Sequence, residues 1–290
     1  MKTLVLFAFV AVSALPAAAD SFFFSTGNVT DSIAIATRPE TAGKFEIEAA
    51  DDFVLNTQAR INSATFTGLL TGGATTANIS QVVLEIYRVF SLDSDVGRTS
   101  GAPVFSTSQV PTRVNSPSDV ALDSRDSSGG GLSFETTLLT GTFTSQNSIT
   151  PGGIHPAPDQ RTQGNGSATG AEVQITANLT APFDLPAGHY FFVPQVAVTT
   201  PDGEFLWLSG TRPIVAPGTP FLPDLQAWTR DQFLDPDWLR AGTDIVGGSP
   251  ATTFNLAFSL NATEVPEPAS VVLVVLGAAA VAGARRFRKV

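Results

Sequence analysis

The chain of 290 residues contains no cysteine and carries a net charge of −10. Disulfide bonds and cysteine-ligated structural zinc are therefore excluded, and a folded domain has to be held together by packing, for which 21 phenylalanines provide material. The acidic balance repels nucleic acid and anionic lipid, which argues against a nucleic-acid partner; it indicates no cofactor, although it permits bound Ca²⁺.

The N-terminal segment has the layout of a secretory signal peptide. Lys2 provides a positive start, residues 4–15 are almost wholly apolar, and residues 17–19 are small. This layout predicts a signal peptide over residues 1–19, with cleavage before Asp20 and export of the chain that follows. The alternative is a buried first strand or helix of the domain.

Residues 20–264 form the predicted exported domain. They hold 25 acidic and 11 basic residues, a net charge of −14, and Lys44 is their only lysine. Their length is compatible with one large β domain or two small ones. Helical periodicity is missing from this part, except that residues 222–228 or 237–241 are compatible with a short helical turn.

Much of the domain alternates between apolar and polar residues with a period of two, which is typical of half-buried antiparallel strands. In residues 172–179, Val173 and Ile175 share one face while Gln174 and Thr176 share the other. The predicted strands cover residues 44–49, 52–55, 61–70, 79–90, 132–144, 172–179, 189–198, 204–209 and 254–260.

Because each such strand has one apolar face to bury, the pattern predicts an all-β fold in which two antiparallel sheets pack as a β-sandwich. Residues 185–190 place Pro186 and Gly188 before Tyr190. This spacing resembles the turn-then-tyrosine entry of extracellular sandwich domains, where a tyrosine hydroxyl fixes the chain at a sheet-to-sheet corner. Jelly-roll and immunoglobulin-like topologies both stay open, and the many strands and long connections favour the jelly-roll.

Two long connections, residues 91–131 and 149–170, are either binding surfaces or loosely ordered decoration. The first begins like a calcium loop at Asp93 and Asp95, but Gly97 occupies the third ligand position. Solvated surface is the favoured interpretation of the acids, with a looser Ca²⁺ site as the alternative. The candidate ligands of such a site are Asp51, Asp52, Asp119, Asp123 and Asp126.

Sequence motifs for catalysis are missing. Neither G-x-S-x-G nor H-E-x-x-H occurs, and the two histidines, His155 and His189, are interpreted as structural or exposed. We therefore predict no catalytic residue. The alternative is a pair of facing carboxylates of the kind that glycosidases use, which the sequence does not locate among its many acids.

Trp228 and Trp238 flank an acidic stretch that includes Asp235 and Asp237. An exposed indole beside carboxylates is typical of sugar-binding surfaces, since the ring stacks on the sugar while the carboxylates accept its hydroxyls. These four residues are the candidate ligand-binding site. In the simpler alternative, the two rings cover the sandwich as part of its packing.

The last 26 residues are organised differently. Their Pro-Glu-Pro unit cannot join a packed strand, because proline lacks a backbone donor. The apolar run that follows satisfies its backbone only as a helix in lipid, and the basic end stays on the cytoplasmic side. We predict a transmembrane helix over residues 269–284, somewhat shorter than the roughly 20 residues of a full span. The motif residues are Val265, Pro266, Glu267, Pro268, Arg285 and Arg286.

In the order of its parts, this tail resembles the PEP-CTERM sorting signal of Gram-negative bacteria. The resemblance implies handling by an exosortase, a membrane transpeptidase-like enzyme, and an association with systems that make extracellular polysaccharide. It is confined to residues 265–290 and implies nothing about the fold upstream. An ordinary C-terminal anchor is the alternative.

Together these features predict a protein that crosses the inner membrane, stays anchored until its tail is processed, and ends at the cell surface or outside the cell. We expect a non-enzymatic protein of the surface or matrix whose acidic sandwich binds glycan or protein. The alternative is a secreted carbohydrate-active enzyme that uses a carboxylate pair.

Overall fold

The computed structural model describes residues 21–90, 92, 115–155, 161–211, 224–234, 237–248, 252–265 and 277. The signal peptide predicted over residues 1–19 and, apart from Gly277, the helix predicted over residues 269–284 lie outside these ranges. Within them, no helix has the length and apolar character that crossing a bilayer requires.

The described residues form β-strands in two sheets, which confirms the predicted all-β class and is consistent with a β-sandwich. Two 3₁₀ turns (Thr76–Asn78 and Pro151–Gly153) and a π-helical turn (Ala241–Val246) connect them. The strands are β1 Ser21–Ser25, β2 Val29–Ala36, β3 Ile47–Leu55, β4 Ala59–Leu70, β5 Ile79–Arg88, β6 Asp123–Asp126, β7 Leu132–Ser145, β8 Ser148–Ile149, β9 Ala168–Leu185, β10 Gly188–Val198, β11 Phe205–Gly210, β12 Trp228–Asp231, β13 Leu239–Arg240, β14 Asn255–Leu256 and β15 Phe258–Glu264.

β4 organises the nine-stranded sheet. One edge of β4 pairs with β9 along its length, and β9 pairs with β7. The opposite edge is shared between β15 at its start and β11 at its end. β1 continues the sheet beyond β15, while β2 and β8 continue it beyond β11, which also pairs with β14. The β2–β8 pair is parallel and the other pairs of this sheet are antiparallel.

The six-stranded sheet has the order β13-β12-β3-β10-β5-β6 and is antiparallel throughout. The strands predicted over residues 44–49 and 52–55 are one strand, β3. At residues 237–241 the structure has β13 where a helical turn was an option, because Leu239 pairs with Thr229 of β12.

Aromatic side chains from both sheets meet in the main core. The ring of Phe192 on β10 has its centroid 6.2 Å from Phe66, 5.0 Å from Phe258 and 5.9 Å from Trp207, all three on the nine-stranded sheet. These side chains are buried. The inner faces of the two sheets therefore share one core, as the alternation of the strands predicted.

The predicted tyrosine corner is confirmed. β9 of the nine-stranded sheet ends at Leu185 and β10 of the six-stranded sheet begins at Gly188, so the chain changes sheets between them. The Tyr190 hydroxyl donates to the Pro186 carbonyl over 2.9 Å. A Cβ at Gly188 would lie 2.9 Å from that hydroxyl, so the corner needs glycine there.

Candidate functional site

The outer face of the six-stranded sheet, called here the covered face, is buried beneath a second layer of chain. A small apolar cluster on this side joins Phe191 and Val193 of β10 to Trp228 and Trp238. The Trp238 indole donates to the Ser118 carbonyl over 3.2 Å, so the chain before β6 belongs to the same layer. Both sides of this sheet are therefore excluded from water in its central part.

A charged group lies within that layer, and we call Glu48, Glu85, Tyr87 and Arg230 the Arg230 cluster. Glu48 on β3 and Arg230 on β12 are directly opposite each other in the sheet. Glu85 and Tyr87 are two residues apart on β5 and so point to the same side. Strand alternation therefore delivers all four side chains to the covered face.

The contacts of the Arg230 cluster are short and reciprocal. The Arg230 Nε donates to Glu48 in an ion pair of which both members are nearly inaccessible. The Tyr87 hydroxyl lies 2.6 Å from Glu48 Oε1 and 3.0 Å from Glu85 Oε2, and it accepts from Arg230 Nη2 over 3.0 Å. The guanidinium also lies 4.3 Å from the ring centroid of Trp238. The cluster thus joins β3, β5 and β12 to the covering layer.

The protonation of the cluster follows from its burial. Burial, and next to it the charge of Glu48, raises the pKa of Glu85 to about 8. A tyrosine hydroxyl has one proton and can donate to one carboxylate at a time, whereas a protonated carboxyl can donate in return. At neutral pH the cluster therefore holds a neutral Glu85 beside the Glu48–Arg230 ion pair.

Two further buried acids occupy neighbouring positions on β3. Asp51 accepts from the Leu256 amide over 2.6 Å, and Asp52 accepts from the Leu225 amide over 3.1 Å. Asp52 Oδ2 also lies 2.5 Å from His189 Nε2. Burial is the largest cause that raises the pKa of Asp51 and of Asp52. These acids attach two distant chain segments to β3.

The structure places the predicted ligand-binding residues inside the protein. Trp228 is 2% exposed and Trp238 is 0% exposed, and Asp237 is buried as well. Asp235 lies outside the described residues. A sugar ring can stack only on an exposed indole face, so the burial of both rings corrects the expectation of an exposed tryptophan surface. Their position agrees with the alternative, in which they cover the sandwich.

The acids proposed for Ca²⁺ do not converge. In the part of the chain that the structure describes, no group of three or more histidine or acidic side chains is arranged to hold a metal ion. Asp123 pairs with Arg125, and Asp126 accepts hydrogen bonds from neighbouring side chains. Asp93 and Asp95 lie outside the described ranges.

The outer side of the nine-stranded sheet is different, and we call it the open face. β1, β15, β4, β9 and β7 cross it side by side, and two adjacent rows of outward side chains run across these five strands. The first row is Phe23, Asn261, Ser63, Asn178 and Ser133, and the second row is Ser25, Ser259, Thr65, Thr176 and Glu135. The surface is thus dominated by hydroxyl and amide groups.

Two depressions lie on the two sides of β7. One, of about 270 Å³, is on the open face and reaches from Phe23 to Leu139. The other, of about 430 Å³, lies at the end of the sandwich and is lined by Leu138 and by glycine-rich turns. Leu138 and Leu139 are adjacent and project to opposite sides, so each is part of one depression only.

Sequence reasoning missed both the Arg230 cluster and the exposed ring of Phe23. Glu48 lies in the strand predicted over residues 44–49, where alternation places it opposite the apolar Ile47, and no local signal shows that this polar side is covered. For Phe23 a signal existed. Phe22, Phe23 and Phe24 are consecutive, and a strand places the middle one opposite its neighbours.

The described part of the C-terminal tail leaves the body at the end of β15. The Val265 amide donates to the Gln58 carbonyl over 2.9 Å. The Pro-Glu-Pro unit follows Val265 directly. No curated protein and no solved structure matches the chain. The family model of the PEP-CTERM protein-sorting motif matches residues 264–289. The chain therefore carries a PEP-CTERM sorting motif at its C-terminal tail, which implies export and membrane-associated processing by an exosortase.

Proposed function

We propose that this protein is a non-enzymatic component of the cell surface or extracellular matrix. Residues 20–264 are the exported domain, which binds glycan or protein after the tail has been processed. Residues 1–19 act as signal peptide, and residues 269–284 hold the chain in the membrane until processing. The jelly-roll topology is the preferred form of the sandwich.

The observation that carries this proposal is the sorting motif at residues 264–289. The positions of the chain ends support it. Ser21 at the start of β1 pairs with Thr263 near the end of β15. Both membrane-directed segments therefore join the body at one place, so the sandwich can fold completely while either segment is still held in the bilayer.

The state of the ionisable groups supports a role without catalysis. Glu48 and Arg230 bond to each other beneath the covering layer, where they are 3% and 5% exposed, and Glu85 beside them is half-buried. A catalytic acid or base has to reach the proton that it transfers. Groups that are enclosed in this way contribute to the packing of the layer.

Removal of residues 266–290 in the native host tests the proposal. We expect the truncated protein to lose its final location at the surface or in the matrix, because the exosortase no longer recognises it. A variant that carries Pro266→Ala and Pro268→Ala but keeps Arg285 and Arg286 tests the role of the Pro-Glu-Pro unit separately from that of the membrane anchor. Unchanged location and yield of the truncated chain would contradict the proposal.

One observation favours the alternative of a carbohydrate-active enzyme. Glu85, with its pKa near 8, carries a proton at neutral pH beside ionised Glu48, and glycosidases pair a protonated with an ionised carboxylate. Release of reducing ends from polysaccharides by the full chain, abolished in Glu85→Gln and Glu48→Gln, would establish this alternative. We expect no such release. The same assay in the presence of a chelator tests whether any release of reducing ends depends on Ca²⁺.

A further inference from the structure

We infer that the depression on the open face binds an uncharged polysaccharide. This inference rests on the proposed binding function and names its site and ligand class. The site lies across β1, β15, β4, β9 and β7, on the opposite side of the protein from the covered face. It uses neither the tryptophans nor the acids that the sequence analysis singled out.

The first argument is charge. Residues 20–264 carry a net charge of −14, yet among the described residues no acidic or basic side chain lines this depression. The charged side chains on the same side of the sheet lie outside it: Glu135 on the edge strand β7, Glu172 two positions from Gln174 on β9, and the Arg60–Asp184 pair at the far end of β4 and β9. A polyanion finds no cation in the depression and is repelled by the body. An uncharged polymer has no such penalty.

The second argument is unused hydrogen-bonding capacity. Gln174 on β9 and Ser259 on β15 line the floor of the depression and are half-buried, beside the buried Thr67 on β4. Within the described residues, the side chains of Gln174 and Ser259 make no hydrogen bond to the protein. Hydroxyl and amide groups both donate and accept, which matches the hydroxyls of a sugar. Because they sit on paired strands, their backbone positions are fixed, so binding has to order only the side chains.

The third argument is the pair of apolar side chains on the two margins. Phe23 on β1 is 47% exposed and Leu139 on β7 is 47% exposed, and both line the depression. A pyranose ring has an apolar face, and an aromatic ring or a branched alkyl group covers such a face favourably. Apolar margins around a polar floor are thus the arrangement that a ring with equatorial hydroxyls requires.

The depression is shallow and open along the sheet, which favours a chain over a single small molecule. Its volume of about 270 Å³ is below the range of about 300–1,000 Å³ typical of pockets that enclose a ligand. The rows of hydroxyl and amide groups continue past it at Asn261, Ser63 and Asn178. A polymer can use several of these groups at once, whereas an isolated sugar uses few.

Sedimentation with insoluble polysaccharides tests the inference. The full-length protein is recovered from its native host in the form to which that host processes it. It is mixed with cellulose and with granular starch as uncharged probes, and with alginate beads that are covalently cross-linked and free of calcium as the anionic probe. We expect retention on at least one uncharged probe and none on alginate.

Variants locate the site. We expect Phe23→Ala and Leu139→Ala each to weaken retention about tenfold, as removal of a central apolar contact does. Leu138→Ala is the matched control, because Leu138 is adjacent to Leu139 on β7 and similarly exposed but lines the other depression. It should bind as the wild type does. Circular dichroism of each variant checks that the fold is retained.

The outcomes separate this inference from the proposed function. Retention that is unaffected by Phe23→Ala and Leu139→Ala, or that is lost in Leu138→Ala, would overturn the site. Binding to alginate alone, or to none of the three probes, would overturn the ligand class. The proposed function would still be decided separately, by the location of the truncated chain in the native host. Conversely, correct location without residues 266–290 would overturn the proposed function and leave the retention assay as it stands.

Discussion

The outer faces of the two sheets both consist of strands in which apolar and polar residues alternate, but one face is buried and the other is exposed. On the covered face, the outward positions of β3, β5 and β12 carry Glu48, Glu85 and Arg230, and a second layer of chain closes over them. On the open face, the corresponding positions of β4 and β9 carry Thr65 and Thr176, and no layer formed by the described residues covers them. Charge is therefore buried on one side, and neutral polar groups are exposed on the other.

This difference teaches how an acidic protein uses its few basic residues. Of its arginines, Arg38, Arg230 and Arg240 pair with largely buried acids. A buried carboxylate is costly unless it is paired and hydrogen-bonded, whereas an exposed hydroxyl is solvated without a partner. These arginines thus neutralise buried acids, whereas Arg60 on the open face forms an exposed pair with Asp184.

The largest effect is expected from Arg230→Met on the covered face. The change leaves Glu48 buried without its cation, which destabilises a protein by about 3–5 kcal/mol. Urea unfolding measures the loss. Arg60→Met is the matched control, since the Arg60–Asp184 pair is about half exposed, and solvent screening leaves such a pair little effect on stability. Equal losses in the two variants would contradict the distinction between the faces.

The second effect depends on pH and is expected from Glu85→Gln. The pKa of Glu85 is raised from 4.5 to about 8, so as the pH rises the unfolded chain releases this proton first. The contribution of Glu85 to stability is therefore complete below pH 4.5 and is lost up to about pH 8, by at most about 1.4 kcal/mol per pH unit. Glutamine does not ionise, so the variant gains stability over the wild type across this window.

Urea unfolding at pH 5 and pH 8 measures that gain. Glu135→Gln is the matched control, because Glu135 is exposed on the open face and its removal should change stability equally at both values. A difference between Glu85→Gln and the wild type that is the same at both pH values would show that Glu85 is ionised throughout.

A smaller effect is expected at the corner that connects the faces. Tyr190→Phe removes the hydrogen bond to Pro186 and keeps the ring, which should reduce the free energy of unfolding by about 1 kcal/mol. The midpoint of urea unfolding should fall while the slope stays unchanged, because no additional surface becomes exposed. An unchanged midpoint would mean that the ring alone holds the corner.

The smallest effect is expected on the open face. Thr176→Val removes a hydroxyl that lies 3.4 Å from the Thr65 hydroxyl. We expect the free energy of unfolding, measured by thermal denaturation, to change by no more than about 0.5 kcal/mol. Ile175→Val, one residue away and directed into the core, should cost about 0.5–1.5 kcal/mol. A larger loss at Thr176 than at Ile175 would mean that the open face is covered in solution.

Several features could be predicted from local patterns. β4 and β10 were predicted to within two residues at each end, because each has one apolar side to bury, whereas β9 extends four residues before and six residues after its predicted range. The corner at Tyr190 follows from a short motif, because the tyrosine hydroxyl bonds to a carbonyl only four residues earlier. The sorting motif at residues 264–289 is likewise a linear signal, read from composition and order.

Contacts between distant segments could not be predicted in this way. Glu48 and Arg230 are 182 positions apart, and nothing near either residue indicates the other. The same holds for Trp228 and Trp238, whose position beside an acidic stretch is compatible with an exposed surface as well as with a covering layer. Burial of a strand's second face depends on which chain segment lies over it, and that is a property of the assembled sandwich.

The amino-acid order alone was thus sufficient for the strand pattern, the absence of disulfides, the acidic character and the address at the C-terminus, because each of these depends on neighbouring residues or on composition. Which sheet face is closed and which is open emerged only from the packing of the folded chain. The reason is that an alternating strand specifies two faces, while long-range contacts choose the one that water reaches.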